Sequence, residues 1–136
     1  MYFLFIYEVC VGMKVRRMKL SEIFNAIRLQ KQYWLFPSFF YYLARGILTR
    51  KAFVCVDEKK IVGMAIWCGR RLGTIVVDKY SKSHGVGSLL LKETEPENPW
   101  AITVGDEKVI NFYIKNGYIV TGRGDKKVKL EKLSMK

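Results

Sequence analysis

The sequence has a single histidine, His84, three cysteines and three prolines. One histidine excludes a multi-histidine metal centre. The cysteines, Cys10, Cys55 and Cys68, are odd in number and spaced for neither a zinc site nor a disulfide framework. A reducing cytoplasm is therefore the expected compartment, and no metal is expected. Cys55, inside "AFVCV", reads as a small core residue. Acidic residues are scarce, 12 Asp plus Glu against 24 Lys plus Arg, for a net charge of +12. That excess favours anionic partners (nucleic acid, phosphates or acidic protein surfaces) without choosing among them. No apolar run nears the ~20 residues that span a bilayer, so no membrane partner is expected. The stretch "MYFLFIYEVCVG" is apolar but short, carries Glu8 and has no basic segment ahead of it, which argues against a secretory signal.

What is present fits one globular domain. The 136 residues lie within the roughly 100–200 expected of a single domain. Residues 1–12 are either an N-terminal extension or an extra strand, and 13–136 form a single domain. Met13 to Met18 alternates as a strand. Ser21 is placed to cap a helix whose buried stripe is Ile23, Phe24, Ile27 and Ala26. "QYWLFPSFFYYLARGIL" reads as a second helix after Pro37. "KAFVCV", the turn "DEKK" and "IVGMAIW" form a hairpin, and "RLGTIVV" a further strand. A helix follows Gly85 and ends by Pro96, and "WAITV" is a short buried strand. Asp106 caps another helix that Gly117 stops. "YIV", the turn "GRGD" and "KKVKLEKL" close the chain, the last with the lysine-apolar alternation of an edge strand. The order β-α-α-β-β-β-α-β-α-β-β predicts a mixed α/β (α+β) fold with a mostly antiparallel sheet flanked by helices.

"YSKSHGVGSLLL" sets two glycines at a strand-to-helix junction. A helix start offers unpaired N–H groups to an anion, and glycine presents no Cβ to block its approach. The stretch lacks the Gly-Lys-Ser/Thr of a Walker loop and, with Leu90 where a third glycine belongs, the dinucleotide fingerprint as well. A phosphate cradle and a merely tight turn both remain.

"TIVVDKYSKSHGVGSLLL" resembles motif A of the GNAT acyltransferase superfamily, where a strand ending in Val leads to a Gln/Arg-x-x-Gly-x-Gly/Ala loop that opens a helix. Here Gly85 follows Val77 by eight residues, and Gly87 comes next but one. "DEKVINFYIKNGY" resembles the family's Asn-x-x-Ala-x-x-Phe-Tyr-x-x-x-Gly-Phe stretch, with Asp106, Val109, Phe112, Tyr113, Gly117 and Tyr118 in those places. The resemblance runs from about Met13 to Leu133.

It implies a GNAT-like N-acetyltransferase that moves an acetyl group from acetyl-CoA, as co-substrate, to a primary amine by direct attack. The acceptor is a protein N-terminus, a lysine or a small amine, and the enzyme a monomer or homodimer. The backbone of Ile75, Val76 and Val77 would bond the pantetheine arm, with an N–H near Val76 for the oxyanion. Lys82, Ser83, His84, Gly85, Val86, Gly87 and Ser88 would wrap the pyrophosphate, and Asp106 would stand near the coenzyme. Tyr113 would protonate the departing thiolate.

The chain departs from the pattern in three ways. Lys82 replaces Gln or Arg, and Asp106 replaces Asn. Where many members carry a glutamate base, six residues before Val77, this chain has Arg71, and the later strand offers Ala101 or Thr103. A water relay, a substrate amine deprotonated in bulk, or Asp57 or Glu58 from the hairpin are the substitutes. Trp34, Phe36, Phe39 and Tyr41 would either wall an acceptor pocket or pack as core. Two other readings stand beside the transferase: a basic nucleic-acid-binding module, resting on the charge and on Lys14, Arg16, Arg17 and Lys126–Lys132, and a GNAT fold that binds CoA without catalysis.

Overall fold

The computed structural model describes residues 12–81 and 85–133. Strand β1 (Met13–Arg17) leads through a 3-10 turn (Leu20–Glu22) into helices α1 (Ile23–Lys31) and α2 (Phe39–Leu48). Strands β2 (Ala52–Asp57), β3 (Lys60–Cys68) and β4 (Arg71–Val77) follow, then α3 (Val86–Thr94), β5 (Trp100–Val104), α4 (Glu107–Lys115), β6 (Ile119–Arg123) and β7 (Lys127–Glu131). This is the order read from the sequence. One seven-stranded sheet results, in the order β1-β2-β3-β4-β5-β7-β6, antiparallel except where β4 meets β5.

Both faces of the middle of the sheet are covered. β3 is buried from Ile61 through Trp67, as a central strand with helices on both sides must be. On one face α1 and α2 set Leu29, Phe39 and Leu43 against Val54, Met64, Ile66 and Val76. On the other, α3 puts Val86 and Leu90 over Cys55, Val62 and Ala65. Beside that cluster, Leu91 and α4's Ile110 and Tyr113 close over Trp67, Leu72, Ala101 and Leu130. Both helical faces thus grip the strand that carries the motif-A valine.

Four local expectations need correction. Ser21 does not cap α1. Glu22 organises that start instead, accepting the Lys19 N–H at 2.8 Å and a two-point contact from Arg16 at 2.8 and 2.7 Å. Phe24 is 82% exposed, because the face toward the sheet is Ala26, Leu29 and Gln30, and Phe24 lies about half a turn away. β5 is buried on one side only: Ala101 faces the core, while Ile102 and Val104 are 41% and 60% exposed. β7 is not an edge strand, since it pairs with β5 on one side and β6 on the other, and β6 forms the edge.

Of the four aromatics between pocket and core, Phe39 is core, Phe36 packs partly buried against it, and Trp34 and Tyr41 are 70% and 59% exposed. The hairpin turn is Glu58 and Lys59, both left-handed at φ 48° and 72°, between the paired Asp57 and Lys60. That is a two-residue primed turn built without glycine.

Candidate functional site

β4 and β5 run parallel yet meet only at their starts, where Arg71 stands opposite Trp100. This end is bolted. The Trp100 N–H donates to the Arg70 carbonyl at 2.9 Å and the Lys132 N–H to the Pro99 carbonyl at 3.0 Å. Just beyond α3, Glu95 accepts from the Tyr118 hydroxyl at 2.9 Å and pairs with Lys132 at 2.6 Å. Farther along, β4 keeps its pairing with β3 and β5 keeps its pairing with β7, so the two strands diverge. The irregularity that starts the divergence is in β4. Thr74 faces Ile66 and Leu72 faces Trp67, leaving Gly73 as the extra residue of a bulge.

The ladder alternation shows which backbone groups line the split. The Asp78 N–H donates to the Val62 carbonyl at 2.8 Å, so residues 78 and 76 point their amides at β3. Ile75 and Val77 point theirs the other way, toward the space between β4 and β5. The Val76 amide therefore belongs to the ladder, and an N–H for the split comes from Ile75 or Val77. The Val77 carbonyl already accepts the Tyr33 hydroxyl at 2.6 Å.

At the far end of β4 the chain turns into α3. Gly85 is the N-cap, left-handed at φ 77°, with open space where a Cβ would stand. No side chain among the described residues caps the helix. The N–H groups of Val86, Gly87 and Ser88 occupy its first turn, where a helix lacks internal acceptors. Gly87 has a different task from the one its place in the loop suggested. An added Cβ would lie 3.0 Å from two carbons of the Phe112 ring and 3.6 Å from Val77, so this glycine lets α4 approach α3. Lys82, Ser83 and His84 lie outside the described residues.

Asp106 caps α4 as expected, accepting the Lys108 N–H at 2.9 Å. The helix carries Phe112 to Gly87 and Tyr113 into the core behind the closed end of the split. Tyr113 meets Phe112 and Tyr118 edge to face, at 5.2 and 5.5 Å between ring centres. Its hydroxyl makes no hydrogen bond among the described residues, and burial pushes it well above the ordinary tyrosine range. Tyr118 is raised likewise, first by burial and then by Glu95. Folding therefore favours the neutral phenols. Their contribution is complete below the unfolded value of about 10 and is lost as pH rises from there through the folded values. The melting temperature should fall between about pH 8 and about pH 11, and it should fall less in Tyr113→Phe. Equal falls in both proteins would contradict the assignment.

The sequence reading missed the polar clamp around β4. Thr74 donates to buried Gln30 at 2.9 Å, and Gln30 in turn donates to the Trp34 carbonyl at 2.8 Å. Gln32 accepts the Lys79 N–H at 3.1 Å and reaches Asp78 at 3.5 Å. Asp78 is buried, accepts the Tyr80 N–H at 3.1 Å and lies 3.6 Å from Lys60. Its carboxyl is held below the ordinary range, chiefly by that Tyr80 N–H. The signal was Gln30 on the face of α1 that Ala26 and Leu29 turn to the core, with Gln32 just past the end of the helix. The substitute bases Asp57 and Glu58 are not brought to the split, because β3 lies between β2 and β4 and sets Asp57 about 10 Å from β4. Ala101 and Thr103 carry no carboxylate, and Arg71 offers a cation.

No protein-family model matches the sequence, and no curated protein matches it. Solved structures do. Ard1 from Thermoplasma volcanium is 18% identical over 92% of this chain and 99% of its own, with a TM-score of 0.74. The ribosomal-protein-S18-alanine N-acetyltransferase from Escherichia coli is 16% identical over 91% of this chain and 96% of its own, with a TM-score of 0.74. Arabidopsis thaliana Naa50, solved in complex with the bisubstrate analogue CoA-Ac-MVNAL, is 13% identical over 91% and 99%, with a TM-score of 0.75. At such identities the likeness speaks for architecture, and it extends over almost the whole of each chain: this protein has the fold of the GNAT N-acetyltransferases.

Proposed function

We propose that the protein transfers an acetyl group from acetyl-CoA to a primary amine, a protein N-terminus, a lysine or a small amine. The observation that carries this is the divergence of β4 from β5 directly beside a helix start without a side-chain cap among the described residues. A split sheet presents extended backbone donors and acceptors to a narrow chain, and a helix start presents amides to a diphosphate. Coenzyme A has both parts in that order. The bisubstrate analogue bound to Naa50 and the coenzyme bound to the Thermoplasma acidophilum PaiA N-acetyltransferase, which has the same fold, support the reading.

The residues fit such a ligand. The first-turn amides of Val86, Gly87 and Ser88 receive the pyrophosphate, with Gly85 supplying the left-handed turn and Lys82, Ser83 and His84 completing the wrap. Ile75 and Val77 supply backbone bonds to the pantetheine arm and an N–H for the oxyanion. Asp106 holds the start of α4 beside them. The neutral amine adds to the thioester carbonyl, the C–N bond forms and the C–S bond breaks. Tyr113 gives its proton to the leaving sulfur and regains one through water from the nitrogen. A phenol whose pKa is raised by burial keeps that proton at neutral pH. With no carboxylate at the usual base positions, the amine reaches the site already deprotonated.

Among the described residues no helix is long and apolar enough to cross a membrane, and Cys55 and Cys68 form no disulfide. Calorimetric titration with acetyl-CoA, followed by thiol release over a panel of amines, tests the proposal. Saturable binding with amine-dependent release is expected. No binding at millimolar ligand would reject the reading, and binding with no release from any amine would leave the catalytically silent alternative.

A further inference from the structure

We propose that the uncovered face of β5 and β7 docks a polypeptide acceptor whose residues next to the acetylated amine are acidic. This rests on the acetyltransferase reading and adds the substrate class. α1 and α2 cover this side of the sheet only over the β2–β4 half. Ala101, Val128 and Leu130 face the opposite core, so Trp100, Ile102 and Val104 of β5 and Lys127 and Lys129 of β7 face outward here. The face borders the split on the side away from α3, so an extended peptide lying on it carries its amine toward the split.

Two features name the occupant. The first is an unmet donor. Arg71 Nε is buried with no hydrogen-bond partner among the described residues, and its guanidinium lies 5.4 Å from the Trp100 ring. Nε itself has no surface that a ligand could reach, so what Arg71 offers an acceptor is the outer part of its cationic fork, for which a carboxylate is the natural partner. The second is the surrounding charge. Lys129 Nζ lies 4.8 Å from the same ring, and among the described residues none of Arg71, Lys127 and Lys129 forms an ion pair. Glu131, opposite Trp100, is the one carboxylate on these strands of the face. Exposed Ile102 and Val104 add an apolar strip, which suits the body of a peptide. Nucleic acid fits less well. Single-stranded binders use aromatic rings as stacking platforms, whereas Trp100 is flanked by Arg71 and Lys129.

The test uses the full chain with acetyl-CoA and three peptides that share a first residue followed by acidic, uncharged or basic residues. The acidic peptide should exceed the uncharged one in kcat/KM by about tenfold. Arg71→Gln should shrink that ratio, and Lys129→Glu should reverse the order toward the basic peptide. The second variant keeps the test sound if the first folds poorly. Equal rates on all three peptides, or no transfer to any while acetyl-CoA still binds, would overturn the inference and leave the coenzyme reading standing. Tight oligonucleotide binding without a peptide preference would overturn it in favour of nucleic acid. Failure to bind acetyl-CoA would instead remove the reading beneath it.

Discussion

Replacing Tyr113 with phenylalanine should lower kcat by roughly 10²-fold, the smaller end of what a positioned acid contributes. The melting temperature at neutral pH should stay where it is or rise. Usually the loss of a buried hydroxyl confuses chemistry with stability, but here the two separate. The Tyr113 hydroxyl makes no hydrogen bond among the described residues, and its desolvation is already an expense that phenylalanine avoids. The ring keeps its edge-to-face contacts with Phe112 and Tyr118 in either form. Other phenols are poor stand-ins. Tyr118 donates to Glu95, and Tyr33 donates to the Val77 carbonyl. Affinity for acetyl-CoA should change little, because the proton is used only as sulfur departs. An unchanged kcat would remove Tyr113 from the chemistry. A melting temperature lower by several degrees would show that the hydroxyl is structural.

The element order and the motif positions were legible in the sequence because they depend on local signals. Asp106 caps α4 and Gly117 ends it at φ 93°, as a cap and a stop should. Gly85 is left-handed at φ 77°, as a glycine opening a helix after a turn suggests. What stayed hidden depends on the strand order. "KKVKLEKL" has the pattern of an edge strand, but only the pairing of β7 with both β5 and β6 shows that its lysines line an open face and not a rim. "WAITV" looks buried throughout because all of it is apolar or small, yet no helix among the described residues covers the Ile102 side. Gly87 was read as room for a ligand, whereas its constraint comes from Phe112, twenty-five positions on, which a local motif cannot reveal. The Gln30–Thr74 bond and the Tyr33–Val77 bond likewise join residues forty-four positions apart.

Gly63→Ala should cost about 1–3 kcal/mol of stability and weaken acetyl-CoA binding together, although residue 63 is not itself a proposed ligand contact. Gly63 faces Val77 across the β3–β4 ladder, under the first turn of α3. A Cβ there would stand 2.8 Å from Val86 Cγ1, 3.1 Å from Leu90 Cδ1 and 3.1 Å from the Val76 carbonyl oxygen. Valine has no flexible end to swing aside, and the carbonyl belongs to the sheet, so relief comes from lifting α3. Val86 is the first residue of that helix, and lifting it moves the same amides assigned to the diphosphate. Gly85→Ala provides the contrast. A Cβ at residue 85 meets nothing within 4 Å, so its cost comes from the left-handed backbone alone, about 1–2 kcal/mol. Chemical denaturation and acetyl-CoA titration of both variants distinguish the two mechanisms. If Gly63→Ala is as stable as the parent and binds the coenzyme equally well, α3 is not seated on β3 at Gly63, and the placement of its amides beside the split loses its physical basis.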